Sequence, residues 1–165
     1  MPKLLVLFDS RSDDMTRLAE AIAEGARRVR FAEVDLRRID GASGTTGLGG
    51  RHRALESADA LAAYDGIIMG ADPDAASHEA EMPPLGSASL VNKVGSAFMA
   101  TQAGEDRRLV LWSTLAPMAD RGMILVAPPL ADATVDSIES ARELGKRVAD
   151  VVGWVTHARS HHHHH

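Results

Sequence analysis

Residues 3–30 read KLLVLFDSRSDDMTRLAEAIAEGARRVR, and this stretch decides the fold. Leu4, Leu5, Val6, Leu7 and Phe8 form an apolar run that is too short for a helix and lacks polar alternation, the pattern of a strand buried on both faces of a parallel sheet. Asp9-Ser10-Arg11-Ser12-Asp13-Asp14 is a polar turn. Beyond it, Met15, Leu18, Ile22, Ala26 and Val29 recur at helical spacing, with Arg17, Glu20, Glu24, Arg27 and Arg28 on the opposite side. A strand that feeds an amphipathic helix through a short turn opens many α/β folds. Free backbone N–H groups at the start of such a helix favour an anion, which makes the turn the first candidate site.

The residues of the turn leave two readings open. A phosphate cradle usually carries Gly, Ser and Thr, so that the backbone can wrap the anion and hydroxyls can donate to it. Here Asp13 and Asp14 fill the second half. A carboxylate at a helix N-terminus is a good cap, worth about 0.5–2 kcal/mol, but it takes the place of an external anion and repels it. The alternatives are a self-capped helix without ligand and an anion site with an acidic rim.

The chain has 165 residues, 45% apolar and 25% charged, an ordinary globular composition that predicts one domain over 1–158. His161 to His165 follow Ser160, so 159–165 reads as an expression tag. A formal charge of -5 without a sustained basic run argues against nucleic acid as a partner. Cysteine is absent, which removes disulfides, thiolate catalysis and cysteine-ligated metals. No apolar stretch approaches a membrane span, and the expectation is a cytoplasmic protein with no membrane partner. His52, His78 and His157 are too scattered to suggest a metal site by spacing, and the expectation is no metal.

After the first helix, Ala32, Val34 and Leu36 alternate with Glu33, Asp35 and Arg37, a strand with one wet side and hence an edge strand. The glycine-rich run from Asp40 to Gly50 does not lead a strand into a helix, so it reads as a loop and not a dinucleotide fingerprint. Leu55, Ala58, Leu61 and Ala62 predict a short helix, and Gly66-Ile67-Ile68-Met69-Gly70 the third strand. Pro83-Pro84 stops any helix begun at His78. Lys93 to Ala100 is the fourth strand, with small residues where something can approach its backbone closely. Leu111, Leu115, Met118 and Ala119 mark the next helix, with Pro117 bending it and Gly122 as a left-handed cap. Met123 to Ala127 is the fifth strand, and Ile138, Ala141, Leu144, Val148, Val151 and Val155 form the last helix, capped by Asp136 or Ser137.

Strands alternating with helices predict an α/β fold: a three-layer, doubly wound, five-stranded parallel sheet. With the second strand at the edge, the order is 2-1-3-4-5. The turns after strands one, three and four then meet at the carboxyl edge, where ligands bind. Function is expected among Ser10 to Met15, Asp72 to His78, and Thr101 to Asp106.

Several blocks in the right order resemble the flavodoxin-like NAD(P)H:quinone oxidoreductases of the tryptophan-repressor-binding-protein (WrbA-like) type. The resemblance is carried by Lys3 to Ala26, by Leu61-Ala62-Ala63-Tyr64-Asp65-Gly66-Ile67-Ile68-Met69-Gly70, by Lys93-Val94-Gly95-Ser96-Ala97-Phe98, and by Leu115 to Val126. It implies an FMN-binding protein that takes hydride from NAD(P)H as cosubstrate and passes two electrons to a quinone or similar small-molecule acceptor, as a homo-oligomer. By matched position it implies Ser10, Arg11, Ser12, Asp13, Asp14 and Met15 around the phosphate. Pro73, Asp74 and Ala75 would lie by the isoalloxazine ring, and Ala100, Thr101, Gln102, Ala103, Gly104 and Glu105 by the ring and ribityl chain. No residue is assigned a catalytic role.

The same loops depart from the family pattern. Asp13-Asp14 stands where the family has Gly followed by His or Asn. The ring loop has lost its aromatic, Arg and Gly, and Asp120-Arg121 replaces a histidine pair. Each unpaired carboxylate about 4 Å from a flavin phosphate costs on the order of 1–4 kcal/mol depending on exposure, and Arg11 can offset one. A second functional reading is therefore a flavin-free descendant serving as a binding or scaffolding module. Asp13 with Asp14, and Asp72, Asp74, His78, Glu79 and Glu81, are hard-ligand clusters whose simpler reading is capping and a solvated loop. Trp112 and Trp154 read as packing or interface residues, and His52 as solvent-facing.

Overall fold

The computed structural model describes residues 1–9, 13–39, 51–71, 85, 89–99, 107–128 and 138–162. In chain order they form β1 (Lys3–Phe8), α1 (Asp13–Arg27), β2 (Glu33–Arg38), β3 (Arg53–Ala54), β4 (Gly66–Ala71), β5 (Val94–Met99), α2 (Arg107–Asp120), β6 (Ile124–Leu125) and α3 (Ile138–His162). A 3-10 helix, Ala58–Ala63, precedes β4. Every pairing is parallel, and the order is β3-β2-β1-β4-β5-β6.

The apolar run of β1 is buried on both faces because its residues divide between two cores. Leu4, Val6 and Phe8 join α1 and α3 on one side, while Leu5 and Leu7 join Leu61, Tyr64, Leu111, Leu115 and Met118 on the other. That is the three-layer α/β arrangement expected from the sequence. The five expected strands are present in the expected order, and β3 is the correction: among the described residues the sheet has six strands rather than five.

This sixth strand pairs Arg53 with Arg37 and Ala54 with Arg38, and the Leu55 amide donates to the Arg38 carbonyl at 2.8 Å. Leu55 is thus held by the sheet and not by a helix. β2 is not the outermost strand, but β3 covers only its last two residues. Val34 and Leu36 stand in the same alternation as Arg38, so their carbonyls face the β3 side of β2, that of Val34 beyond the two residues β3 covers. They accept hydrogen bonds from Arg27 Nη2 at 3.3 Å and Arg37 Nη1 at 2.9 Å. Open edges invite pairing with other chains, and guanidinium groups on the edge carbonyls oppose it.

At the far side, Gly122 has φ 76°, its amide donates to Ala119 and the Met123 amide to Met118, a left-handed glycine cap that closes α2 where the sequence placed one. Pro117 lies inside α2. What approaches the small residues of β5 is the protein itself: a Cβ on Gly95 would meet Met118 Sδ at 2.8 Å and Met123 Cε at 3.0 Å. The buried Ser96 hydroxyl donates to the Val126 carbonyl at 2.5 Å, tying the segment after β6 to the sheet. The glycine-rich loop after Ile39, the short helix expected at His78 and the cap expected at Asp136 or Ser137 lie outside the described residues.

Candidate functional site

The strand order reverses between β1 and β4, since β1 leads through α1 to β2 on one side while β4 and β5 extend the sheet on the other. At such a switch point the connections leaving the carboxyl ends diverge and open a crevice, the usual ligand site of a doubly wound sheet. Phe8, Ala71 and Met99 are the strand ends that border it. Of the expected site residues, Asp13, Asp14 and Met15 are described. Ser10, Arg11, Ser12, Pro73, Asp74, Ala75, Ala100, Thr101, Gln102, Ala103, Gly104 and Glu105 lie outside the described residues, as do Asp72, His78, Glu79 and Glu81.

Asp13 and Asp14 occupy the first turn of α1, where carboxylates complement the helix dipole. Both are exposed. The Asp14 side chain is 80% exposed and its Oδ1 lies 3.5 Å from Arg17 Nη1, one turn along the helix. Met15 turns inward instead. It is buried, and a Cβ on Gly70, near the end of β4, would lie 2.8 Å from its Sδ and 2.9 Å from Phe98 Cζ. Glycine at position 70 thus lets Met15 and Phe98 close over the end of β4 and fix the start of α1 to the sheet. Among the described residues, no three His, Cys, Asp or Glu side chains converge as a metal site.

A second concave region lies between α1 and the β2–β3 edge. It is a cavity of about 290 Å³ lined by Arg27, Arg37, Arg51 and Arg53, with Glu20, Asp35, His52, Val34 and Leu36. His52 is a correction to the sequence reading: its side chain is only 22% exposed. Its ring meets that of Phe8 edge-on at a centroid distance of 5.5 Å, and Nε2 lies 2.9 Å from Glu20 Oε1. A carboxylate only accepts, so this contact sets the proton on Nε2. The His52 carbonyl in turn accepts from Arg38 Nε at 2.7 Å. The signal available in the sequence was the short basic run Arg51-His52-Arg53. The other members come from α1 and β2, so no linear window contains the cluster.

On the opposite face of β2, the Tyr64 hydroxyl donates to Asp35 Oδ2 at 2.7 Å. Burial, then that hydrogen bond and the Asp35 charge, push the phenol from 10.0 up to about 12. Arg37 Nη2 lies 3.8 Å from the same carboxylate oxygen. Trp112 and Trp154 are 48% and 69% exposed, so neither is a core packing residue in this chain. No helix among the described residues is long and apolar enough to cross a membrane.

No family model matches the sequence. Solved structures do resemble the fold. A flavodoxin, WrbA-like protein from Agrobacterium tumefaciens is 25% identical, with 93% of this chain and 98% of that chain covered and a TM-score of 0.60. A diflavin flavoprotein from Nostoc sp. is 20% identical over 98% of this chain and 97% of that chain, with a TM-score of 0.60. The flavoenzyme NAD(P)H:(acceptor) oxidoreductase FerB from Paracoccus denitrificans is 16% identical over 94% and 98%, with a TM-score of 0.57. The fold is flavodoxin-like, and its structural neighbours include flavoproteins.

Proposed function

We propose that this chain is an FMN-dependent NAD(P)H:quinone oxidoreductase whose flavin sits at the switch point between β1 and β4. The observation that carries the reading is that topology: the order reversal beside β1, with the N-terminus of α1 opening onto it, in a chain similar over nearly its full length to a WrbA-like flavodoxin. Backbone N–H groups of the first turn of α1, with Ser10, Arg11 and Ser12, would hold the phosphate. Pro73, Asp74 and Ala75 would border the ring, and Ala100 to Glu105 the ring and ribityl chain. Bound FMN would supply the two-electron chemistry between NAD(P)H and a quinone. Two observations support a flavin phosphate there: Met15 packs against Gly70 and anchors the helix start, and the Asp14 carboxylate is turned to water beside Arg17. Leu109 and Trp112, one turn apart on α2 and both exposed, support a homo-oligomeric assembly.

A flavin-free binding module is the second reading, favoured by the two acidic residues in the first turn of α1. The test is the visible spectrum of the purified protein, followed by FMN titration and by NAD(P)H oxidation in the presence of benzoquinone. A flavin band, or saturable FMN binding with quinone-dependent oxidation, supports the enzyme. A colourless protein that neither binds FMN nor oxidises NAD(P)H leaves the binding module.

A further inference from the structure

The cavity between α1 and the β2–β3 edge shares no residue with the switch-point site, and its charge is opposite to that of the chain. Arg27, Arg37, Arg51 and Arg53 line it against two carboxylates, Glu20 and Asp35, in a protein of formal charge -5. The carboxylates are already engaged, Glu20 by His52 and Asp35 by Tyr64. The side chains of Arg51 and Arg53 have no hydrogen-bond or ion-pair partner among the described residues. Arg27 and Arg37 are held in place by the edge carbonyls of Val34 and Leu36. A guanidinium has five donors; Arg27 uses one on its carbonyl, and Arg37 uses one on its carbonyl and sets Nη2 3.8 Å from Asp35 Oδ2, so both are positioned and still able to donate. Fixing such side chains in advance lowers the entropic cost of binding.

We infer that this cavity binds a doubly charged phosphate group. Two cations in excess of the lining carboxylates match a phosphate dianion better than a singly charged carboxylate, and arginine forks suit tetrahedral oxyanions through paired N–H donors. A volume of about 290 Å³ holds a phosphate with a small body attached and not a dinucleotide. Val34 and Leu36 give that body an apolar wall. The Glu20–His52 contact and the edge-on packing of His52 on Phe8 hold the β3 segment, and with it Arg51 and Arg53, against α1 and β1. Free phosphate and a phosphomonoester present the same oxyanion, and affinity separates them.

The experiment is calorimetric titration of the full chain with inorganic phosphate and with glycerol 3-phosphate, against sodium chloride at matched ionic strength. One phosphate per chain is expected, weakened at least about tenfold in Arg51→Gln/Arg53→Gln, where two charge-assisted contacts are lost. Both side chains are exposed and lie outside the cores, so the variant folds, as unchanged circular dichroism checks. Tighter glycerol 3-phosphate identifies a phosphomonoester, and equal affinity identifies the free anion. Binding no tighter than chloride overturns the inference. So does phosphate binding that survives unchanged in the double variant, because the anion is then held elsewhere, as at the start of α1.

Discussion

A Cβ on Gly145 would lie 1.9 Å from the carbonyl oxygen of Ile22, and its counterpart on Gly25 would lie 1.9 Å from the carbonyl oxygen of Arg142. The two glycines thus let α1 and α3 press backbone against backbone over one face of the sheet. A methyl group at either position meets main chain, which cannot swing aside as a side chain would. Gly145→Ala and Gly25→Ala are expected to destabilise by about 1–3 kcal/mol or more, despite the better helix propensity of alanine. Gly153, on α3 with nothing within 4 Å of the place a Cβ would take, is the control. Gly153→Ala should stabilise by up to about 1 kcal/mol. Urea denaturation of the three variants checks the contrast, and equal effects at all three sites would refute it.

Tyr64 is the only tyrosine, so its ionisation can be read directly from the phenolate absorbance. The expected midpoint is about 12 rather than 10.0. The folded state keeps the proton where the unfolded chain has released it. The contribution to stability is therefore complete below pH 10.0 and is lost as the pH rises toward about 12. Asp35→Asn should lower the midpoint only part of the way, because burial remains the largest cause. A wild-type midpoint at the ordinary phenol value would show that the Tyr64–Asp35 contact is not maintained in solution.

His52 joins α1 to the β3 segment through Glu20 and rests edge-on against Phe8. His52→Ala is expected to cost about 1–2 kcal/mol, combining a lost ring contact with a lost hydrogen bond to a carboxylate. The loss should be local. Hydrogen exchange at the Leu55 amide, which bonds Arg38, should accelerate more than exchange within β1 or β4. Uniform acceleration across the sheet would contradict this.

Asp13→Asn with Asp14→Asn should raise FMN affinity, but modestly. Because both carboxylates are exposed and Asp14 pairs with Arg17, the relevant screening is near that of water, about 1 kcal/mol per charge at about 4 Å. Together they correspond to roughly a thirtyfold gain in a fluorescence titration. The gain should shrink with added salt. A salt-independent gain would mean that these residues act by shape and not by charge.

Local periodicity made the sheet legible. The run from Leu4 to Phe8 and the helical spacing from Met15 to Ala26 each need only a few neighbouring residues to be recognised. The alternation of buried and wet positions marked β2 in the same way, and Gly122 announced the end of α2 because a left-handed cap favours glycine. β3 escaped because two residues, Arg53 and Ala54, carry no periodicity. Its existence depends on the edge that β2 offers. The glycines at 25 and 145 sat within correctly read helices, yet nothing local says that another backbone lies against them.

The sequence by itself determined the α/β class and the relative order of the five strands it marked, since these follow from the patterning of residues adjacent in the chain. Only the tertiary structure decided that His52 is anchored to Glu20 across 32 residues, that Met15 is drawn against Gly70 near the end of β4, and that four arginines from α1, β2 and the β3 segment line one cavity. Charge and burial act through space, and the distances that set them come into being only when the chain has closed upon itself.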